Sequence, residues 1–513
     1  VAEESSPAPE PEKPAVPRRV RPLDLALTLA VLILGFFALG LLQASTKELV
    51  DHDSLYHVRA ANLLPEDGSD FIMKRIFPWM HATFLEQHYA DKEFLFHVVL
   101  MPFCGDEKSM DAGGKTATIL LGTVILAAFA FVLVRMAVRA PWLWLLLLLA
   151  SGDHFLFRLC ETRPHLLSIT LMLLGVVAVL ERRWLALYCL GYLYSWSYSG
   201  PEILPFLALL AAIGRWSRDG TISAAPTVAA TVGMLSGLVL NPFTPNSLYL
   251  FRVQNIDVLT HAWFTPGIAR LGSELSPVTT RSVLMSSPGL TLAFVVGFGA
   301  MLLARKKPSV RTTQLAFMTL GALGLFFASA KFIEYAAPLV VLFCASAVDD
   351  QWKAEWTPTK LVLACAFALL TTTLVFTGFV KARGHLMELK PPALSGAASW
   401  IARRGERGTV VAHFDWDDFS TLFHDNPHNY YLFGLDPTFA EVWDPEGLQY
   451  LQDIRDEKKG LDPAYIFDHF HARYLVVPKY RRSEWTAALT AGLDVKYGDD
   501  PTDAAYVFEI PYR

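Results

Sequence analysis

The sequence is poor in the features that staple or switch soluble domains. It has five cysteines in 513 residues and no Cys-x-x-Cys pair, which excludes a sequence-encoded zinc ribbon or dithiol redox motif. Most of these cysteines lie inside apolar runs and read as small buried hydrophobes. Cys104 and Cys160 could meet near one surface, but no disulfide is expected. No Asn-x-Ser/Thr acceptor occurs, and no internal repeat is evident. A transporter built from repeated halves is therefore disfavoured. Charge is scarce as well: 18% of residues are charged and the net charge is −5, which gives no indication of a nucleic-acid partner.

What remains is apolar. Hydrophobic residues make up 53% of the chain, and the mean hydropathy of +0.34 points to a polytopic membrane protein. The Pro- and Glu-rich stretch 1–22 reads as a disordered cytoplasmic tail. It ends in Arg18-Arg19-Val20-Arg21, before an apolar run from about Leu23 to Leu42. With basic residues ahead of it and no small-residue cleavage site behind it, this run is expected to be an uncleaved signal anchor. Further apolar segments lie near 116–138, 141–152, 165–180, 184–198, 202–213, 224–240, 283–304, 312–330, 335–348 and 359–380, roughly eleven spans in all. Arg135 and Arg139, Glu181-Arg182-Arg183, Arg215 and Arg218, and Arg305-Lys306-Lys307 fall in connections assigned to the cytoplasm.

That alternation divides the chain into a transmembrane region at 23–380, with long outer loops at 44–114 and 241–282, and an extracytoplasmic α/β domain at 381–513. Long structured loops on one face generally carry function. In the C-terminal region, 393–404 reads as a helix and 409–414, 474–477 and 506–510 as strands. The expected location is a plasma (inner) membrane, with the C-terminal domain in the periplasm or outside the cell.

Acidic residues gather at the predicted outer ends of spans. Directly after the first span comes Asp51-His52-Asp53-Ser54-Leu55-Tyr56-His57-Val58-Arg59. Asp153-His154, Glu274 and Glu334 follow on the same predicted face. Carboxylates are costly at a bilayer boundary unless they hold an ion, a partner or a polar substrate. Several from separate loops can share Mg²⁺ or Mn²⁺, with positions left for substrate phosphate. Each has a plainer reading too. Asp51 or Asp53 could cap the following helix, Asp153 could sit in a turn, and Glu334 could pair with Lys331 along a helix. Glu202 reads as a first-turn helix residue, and His57, Arg59 and His165 are weak signals individually. Among Lys74-Arg75, Arg158, Arg163 and Lys331, the last two are retained as phosphate-binding candidates; snorkelling to lipid headgroups explains most such residues.

These pieces resemble the GT-C glycosyltransferases, and within them the catalytic subunit of oligosaccharyltransferases. Asp53-Ser54-Leu55-Tyr56-His57-Val58-Arg59 is similar to that family's D-x-x-Y-H-x-R stretch, and Asp153-His154-Phe155 to its second-loop acidic motif. Gly272-Ser273-Glu274-Leu275-Ser276-Pro277 resembles the S-x-S-E-x-x-P loop, and Lys331-Phe332-Ile333-Glu334-Tyr335 an R-F-x-x-Y segment. Asp415-Trp416-Asp417-Asp418-Phe419 stands where the family carries W-W-D-Y-G. The resemblance implies Asp53 as metal ligand and acceptor-activating residue, Asp153 and His154 as further metal ligands, and Glu274 as a catalytic residue on a closing loop. It further implies Lys331 and Arg163 at the donor phosphate, and Trp416 and Asp417 at the acceptor. The expected reaction transfers a sugar or oligosaccharide from a polyprenyl-phosphate-linked donor to a protein or glycan acceptor at the bilayer surface, with Mg or Mn as cofactor. Lys331 in place of Arg and the altered W-W-D-Y-G suggest a divergent relative with another acceptor. A monosaccharide transferase using a polyprenyl-monophosphate sugar is the neighbouring alternative; a transporter or flippase, or a scaffold, comes from a different class.

Overall fold

The computed structural model describes residues 20–257, 260, 276–304, 307–351 and 357–511. Glu274, residues 258–259 and 261–275 of the loop 241–282, and nearly all of the N-terminal tail lie outside the described residues. The first helix among the described residues is α1 (Pro22–Gln43), opened by a proline in its first turn, where the missing N–H costs no hydrogen bond. After α2 (His52–Lys74) and α3 (Phe94–Cys104) comes α4 (Met110–Arg135).

A bundle of shorter helices follows: α5 (Pro141–Leu149), α6 (Asp153–Arg158), α7 (His165–Leu180), α8 (Trp184–Ser197), α9 (Ile203–Asp219), α10 (Ala225–Val239) and α11 (Asn246–Arg252). Helices α12 (Thr280–Ser286) and α13 (Pro288–Leu302) meet at a bend of 103°. Then come α14 (Val310–Ala328), α15 (Ile333–Gln351) and α16 (Pro358–Met387). By length and composition, five helices among the described residues can cross a membrane, or six if the bent pair forms one span. The other segments expected to span form helices such as α7, α8 and α10, of 16, 14 and 15 residues. At 1.5 Å per residue, 15 residues reach only about 22 Å against a hydrocarbon core of about 30 Å. A break at Gly152, whose φ is +140°, follows α5, and the turn holding Pro201 follows α8.

The shorter helices pack through small residues. A Cβ on Gly233 would lie 2.1 Å from the Tyr188 carbonyl oxygen, so α8 and α10 approach backbone to backbone. The bundle has two polar ends. At one, Arg135 pairs with Glu181 at 2.6 Å, the Arg139 amide donates to Asp349, and Arg218 donates to the Pro308 carbonyl. These are the connections assigned by sequence to a common side. The opposite end gathers α2, the turns before α7 and α9, and the C-terminal α/β unit.

That unit contains α17 (Ser395–Arg404), β1 (Val410–Ala412), α18 (Asp418–Asp425) and β2 (Tyr430–Tyr431), followed by α19 (Thr438–Trp443), α20 (Pro445–Arg455) and α21 (Pro463–Phe470). It ends with β3 (Ala472–Pro478), α22 (Arg482–Thr490), β4 (Asp494–Tyr497) and β5 (Ala505–Glu509). The sheet order is β2-β1-β3-β5-β4. Strands β1, β2 and β3 run parallel, whereas β5 is antiparallel to both β3 and β4. Central β3 is apolar on both faces, with Leu475, Val476 and Val477 fully buried.

The segment after α2 is stitched to this sheet. His81 and Ala82 amides donate to the Tyr431 and Leu432 carbonyls at 2.7 and 2.8 Å, and the Tyr431 amide donates to Trp79. A sheet edge is thus covered by the first loop of the bundle. Tyr56 of α2 packs against Phe419 and Phe423 of α18. Arg59, buried, donates through Nε to the His424 carbonyl at 2.8 Å and through Nη1 to Asn62 and Glu107, both at 3.1 Å.

Arg59→Ala should therefore loosen the dock between α2 and α18, at a cost of about 2–3 kcal/mol for a buried charge-assisted acceptor left unmet. Arg59→Lys should not restore it, because an ammonium cannot reproduce the planar fork. Hydrogen exchange of the α18 amides measures this; unchanged protection in both variants would contradict it.

Candidate functional site

The site is built where α2 begins. Ser54 Oγ accepts from the Thr162 amide at 2.9 Å and donates to the Val50 carbonyl, so the first turn of α2 is tied to the segment ahead of α7. This tie sets Asp51 and Asp53 beside Arg163. Arg163 Nη1 lies 3.0 Å from Asp51 Oδ2, and Nη2 lies 2.6 Å from Asp53 Oδ2. Asp51 stands at the N-cap position of α2, but its side chain makes no capping bond. Its backbone has φ 74° and ψ 147°, a conformation costing a non-glycine residue of order 1–3 kcal/mol. Capping thus does not explain Asp51; the strain is held by its contact with Arg163.

Behind this pair the charges continue inward. Glu161 Oε2 is 3.9 Å from Arg163 Nη1 and 2.6 Å from Arg158 Nη1. Arg158 Nη2 then reaches Glu334 Oε2 at 2.9 Å, and Tyr198 donates to Glu334 Oε1 at 3.3 Å. His165 Nε2 donates to the Arg158 carbonyl at 2.8 Å. Glu334 therefore pairs across the bundle with Arg158, and a local helical pair with Lys331 does not account for it. Asp53 and Asp51 are 24% and 30% exposed at the side chain, whereas Glu161 and Glu334 are 4% and 0% exposed. The outer two carboxylates can meet a ligand; the inner two act through their charge.

Glu161 was not singled out by sequence reasoning. Its signal was present in Glu161-Thr162-Arg163, an acidic and a basic residue two apart just before an apolar helix.

The other predicted residues divide. Asp153 opens α6 and is buried, with His385 of α16 at 3.9 Å from its Oδ2. Asp53, Asp153 and His154 do not form a compact ligand set; among the described residues, the His57, Glu93 and His97 group has its ligand atoms within 4.8 Å of one another. Lys331 lies over the Phe332 ring at 5.5 Å, and its charge acts on Glu202 and on Asp436 of the C-terminal unit. Lys92 also acts on Asp436. Lys92 lines a cleft with Asp91, Tyr198, Asn241 and Gln254, and Tyr198 links that cleft to Glu334.

In the segment after β1, Asp415 and Asp418 both pair with Arg481. Asp415 accepts from Arg455 at 2.6 Å, and Asp418 from Arg481 at 2.7 Å. Asp417 instead faces α2: burial pushes its carboxyl up, His52 opposes this, and the Asp53 charge adds to it. His413 donates through Nδ1 to the Asp415 carbonyl and accepts the Leu432 amide at Nε2. Burial pushes its pKa down to about 4, so it is a neutral structural imidazole. Trp416 is half-buried and packs beside the sheet core.

Burial also pushes Asp418 up to about 6 and Glu484 up to about 7, against the pull of Arg481. A carboxyl raised in the folded state contributes stability that is full below its ordinary range and is lost as pH rises through the folded value. The sheet should thus lose protection between about pH 4.5 and 7, and Glu484→Gln should flatten that loss. Exchange of the β3 amides across this range is the check; equal slopes in both proteins would refute it.

No protein-family model and no curated sequence matches this chain. Solved structures do. The archaeal oligosaccharyltransferase AglB from Archaeoglobus fulgidus, in complex with an inhibitory peptide and a dolichol-phosphate, superposes with a TM-score of 0.66 at 10% identity. The match covers 96% of this chain and 75% of AglB. ArnT from Cupriavidus metallidurans, bound to undecaprenyl phosphate, matches with a TM-score of 0.56 at 14% identity, over 95% of this chain and 97% of ArnT. Arabinofuranosyltransferase AftD from Mycobacteria matches at 0.56 and 11% identity, over 97% of this chain but 40% of AftD. A backbone shared this extensively at such low identity shows that the chain has the fold of the GT-C glycosyltransferases.

Proposed function

We propose that this chain is a membrane glycosyltransferase that moves a sugar or oligosaccharide from a polyprenyl-phosphate-type lipid donor to an acceptor at the membrane surface. A fold alone does not give an activity. The observation that carries the reading is the pair Asp51, with its strained backbone, and Asp53, both partly exposed and held by Arg163, with the Asp53 charge reaching Asp417 of the C-terminal unit. That the solved neighbours contain dolichol-phosphate and undecaprenyl phosphate supports the lipid-phosphate part. A transporter would place its ionisable groups near the bilayer midplane; these lie at one end of the bundle.

In this reading, Asp53 accepts the proton of the acceptor nucleophile as the bond to the sugar forms. The bond from sugar to phosphate oxygen breaks, and the lipid phosphate leaves with the electron pair. Lys331 offsets its charge from the bundle side. The Asp51 and Asp53 carboxylates are hard oxygen donors and suit Mg²⁺ or Mn²⁺ better than a soft metal. Such an ion would stabilise the leaving phosphate. Asp51 and Asp53 are the partly exposed carboxylates held on Arg163, whereas Asp153 lies at His385 of α16, so we assign the metal-side role to the first two. Arg163 holds those carboxylates, and the donor phosphate would have to draw it from them. Glu274 remains an acceptor-side proposal from the segment outside the described residues, and Trp416 with Asp417 an acceptor-contact proposal. By this reading the polar end with the α/β unit faces away from the cytoplasm, in a plasma (inner) membrane.

Asp53→Asn in purified protein should lower sugar transfer from a labelled polyprenyl-phosphate donor by about 100-fold or more, the usual range for removing a positioned base. EDTA should abolish transfer, and Mn²⁺ or Mg²⁺ should restore it. Full activity of the variant, with or without EDTA, would remove Asp53 from the mechanism. Asp417→Ala should weaken use of the acceptor while leaving donor binding intact; equal loss of both would make Asp417 a folding residue.

A further inference from the structure

One helical turn below Asp53, on the same face of α2, lies His57. It is buried, as are Glu93, at the N-cap of α3, and His97, in the first turn of that helix. His57 Nδ1 and His97 Nε2 are 2.9 Å apart. Together with a Glu93 carboxylate oxygen, one ligand atom from each residue lies within 4.8 Å of the others. The opposite nitrogen of His97, Nδ1, donates to Asp91 Oδ2 at 2.7 Å. Asp91 is itself fixed, accepting the Glu93 amide through Oδ1 at 2.9 Å.

We propose that His57, Glu93 and His97 form a binding site for a borderline transition-metal ion, Zn²⁺ by preference, distinct from the carboxylate site at Asp51 and Asp53. Two imidazoles and one carboxylate are a donor set that suits Zn²⁺ and is poor for Mg²⁺. The Asp91 contact orients His97 and directs its Nε2 lone pair inward, the arrangement that supports metal-bound imidazoles. Charge also fits. Glu93 and Asp91 are two buried carboxylates, and Lys92 Nζ stands 3.8 Å from Glu93 Oε1 with 19% of its side chain exposed. Lys92 offsets one of these carboxylates from the rim, and a bound cation offsets the other. Burial keeps the Glu93 carboxyl above its ordinary range even with Lys92 and His97 beside it. The walls are apolar: Phe96 meets the His57 ring edge-on at 5.3 Å and Tyr56 at 5.1 Å. An ion here joins the segment 91–97 to α2 and fixes the turn that carries Asp53. The proposal does not depend on the transferase reading.

The test is metal binding by the full-length, detergent-purified protein. Elemental analysis after equilibration with Zn²⁺ and exchange into metal-free buffer should find about one Zn²⁺ per chain. Co²⁺ in its place should give visible d–d absorption that millimolar Mg²⁺ does not remove. His97→Ala should abolish this binding. Asp91→Asn, which keeps all three ligands, should weaken it by about 10- to 100-fold. Asp53→Asn should leave it unchanged. A folded wild-type protein that takes up no Zn²⁺ would overturn the proposal and leave the cluster as a hydrogen-bonded polar core. So would Zn²⁺ uptake retained by His97→Ala, or lost in Asp53→Asn. Should His97→Ala aggregate, Glu93→Gln and Asp91→Asn decide: affinity unchanged in both would also overturn it.

Discussion

The arginine that bridges Asp51 and Asp53 organises this end of the molecule. Two carboxylates two residues apart at the start of a helix, each partly buried, repel each other and lose hydration. Arg163 answers both with separate nitrogens, and can do so because its guanidinium is planar and permanently charged. Since Arg163 precedes α7 and the aspartates precede and open α2, the interaction fixes a surface helix to the bundle. The Ser54 bond to the Thr162 amide reinforces the same attachment.

Inward from there the chain of charges ends on Glu334, with Arg158 as the central member. Removing one partner of a buried pair typically costs about 3–5 kcal/mol, because the other charge is left without compensation. An arrangement of this kind is a weak contributor to net stability but a strong constraint on geometry. It requires the segments before α7, after α8 and at the start of α15 to meet in one place. Outward, α2 turns its Tyr56 and Arg59 side chains to α18, and the segment after it covers the edge of β2. The same helix thus holds the acidic pair on one side and the C-terminal unit on another, which is how Asp417 comes to sense the charge of Asp53.

Much of this was legible in the chain. Strands β1, β3 and β5 and helix α17 lie at the predicted positions, since short apolar runs between turn residues have few other solutions. Strands β2 and β4 were not legible: Tyr430–Tyr431 is two residues long, and Asp494–Tyr497 is largely polar. In the bundle, apolar composition marked the helices but not their reach. Hydropathy reports what a segment is made of, whereas breaks such as those at Gly152 and in the turn holding Pro201 set where α5 and α8 stop.

The sequence by itself determined that the protein is apolar, helical and ends in an α/β unit, and that acidic residues sit at the ends of its apolar runs. These follow from local composition and periodicity, which neighbouring residues along the chain suffice to express. The tertiary structure alone decided the partners: Asp51 with Arg163 in place of a helix cap, Glu334 with Arg158 in place of Lys331, and Glu161 between the two arginines. It also placed His57, a weak signal in isolation, against Glu93 and His97. Such pairs depend on distances of a few ångströms between residues far apart in the chain, 176 positions for Arg158 and Glu334, and no local pattern encodes such distances.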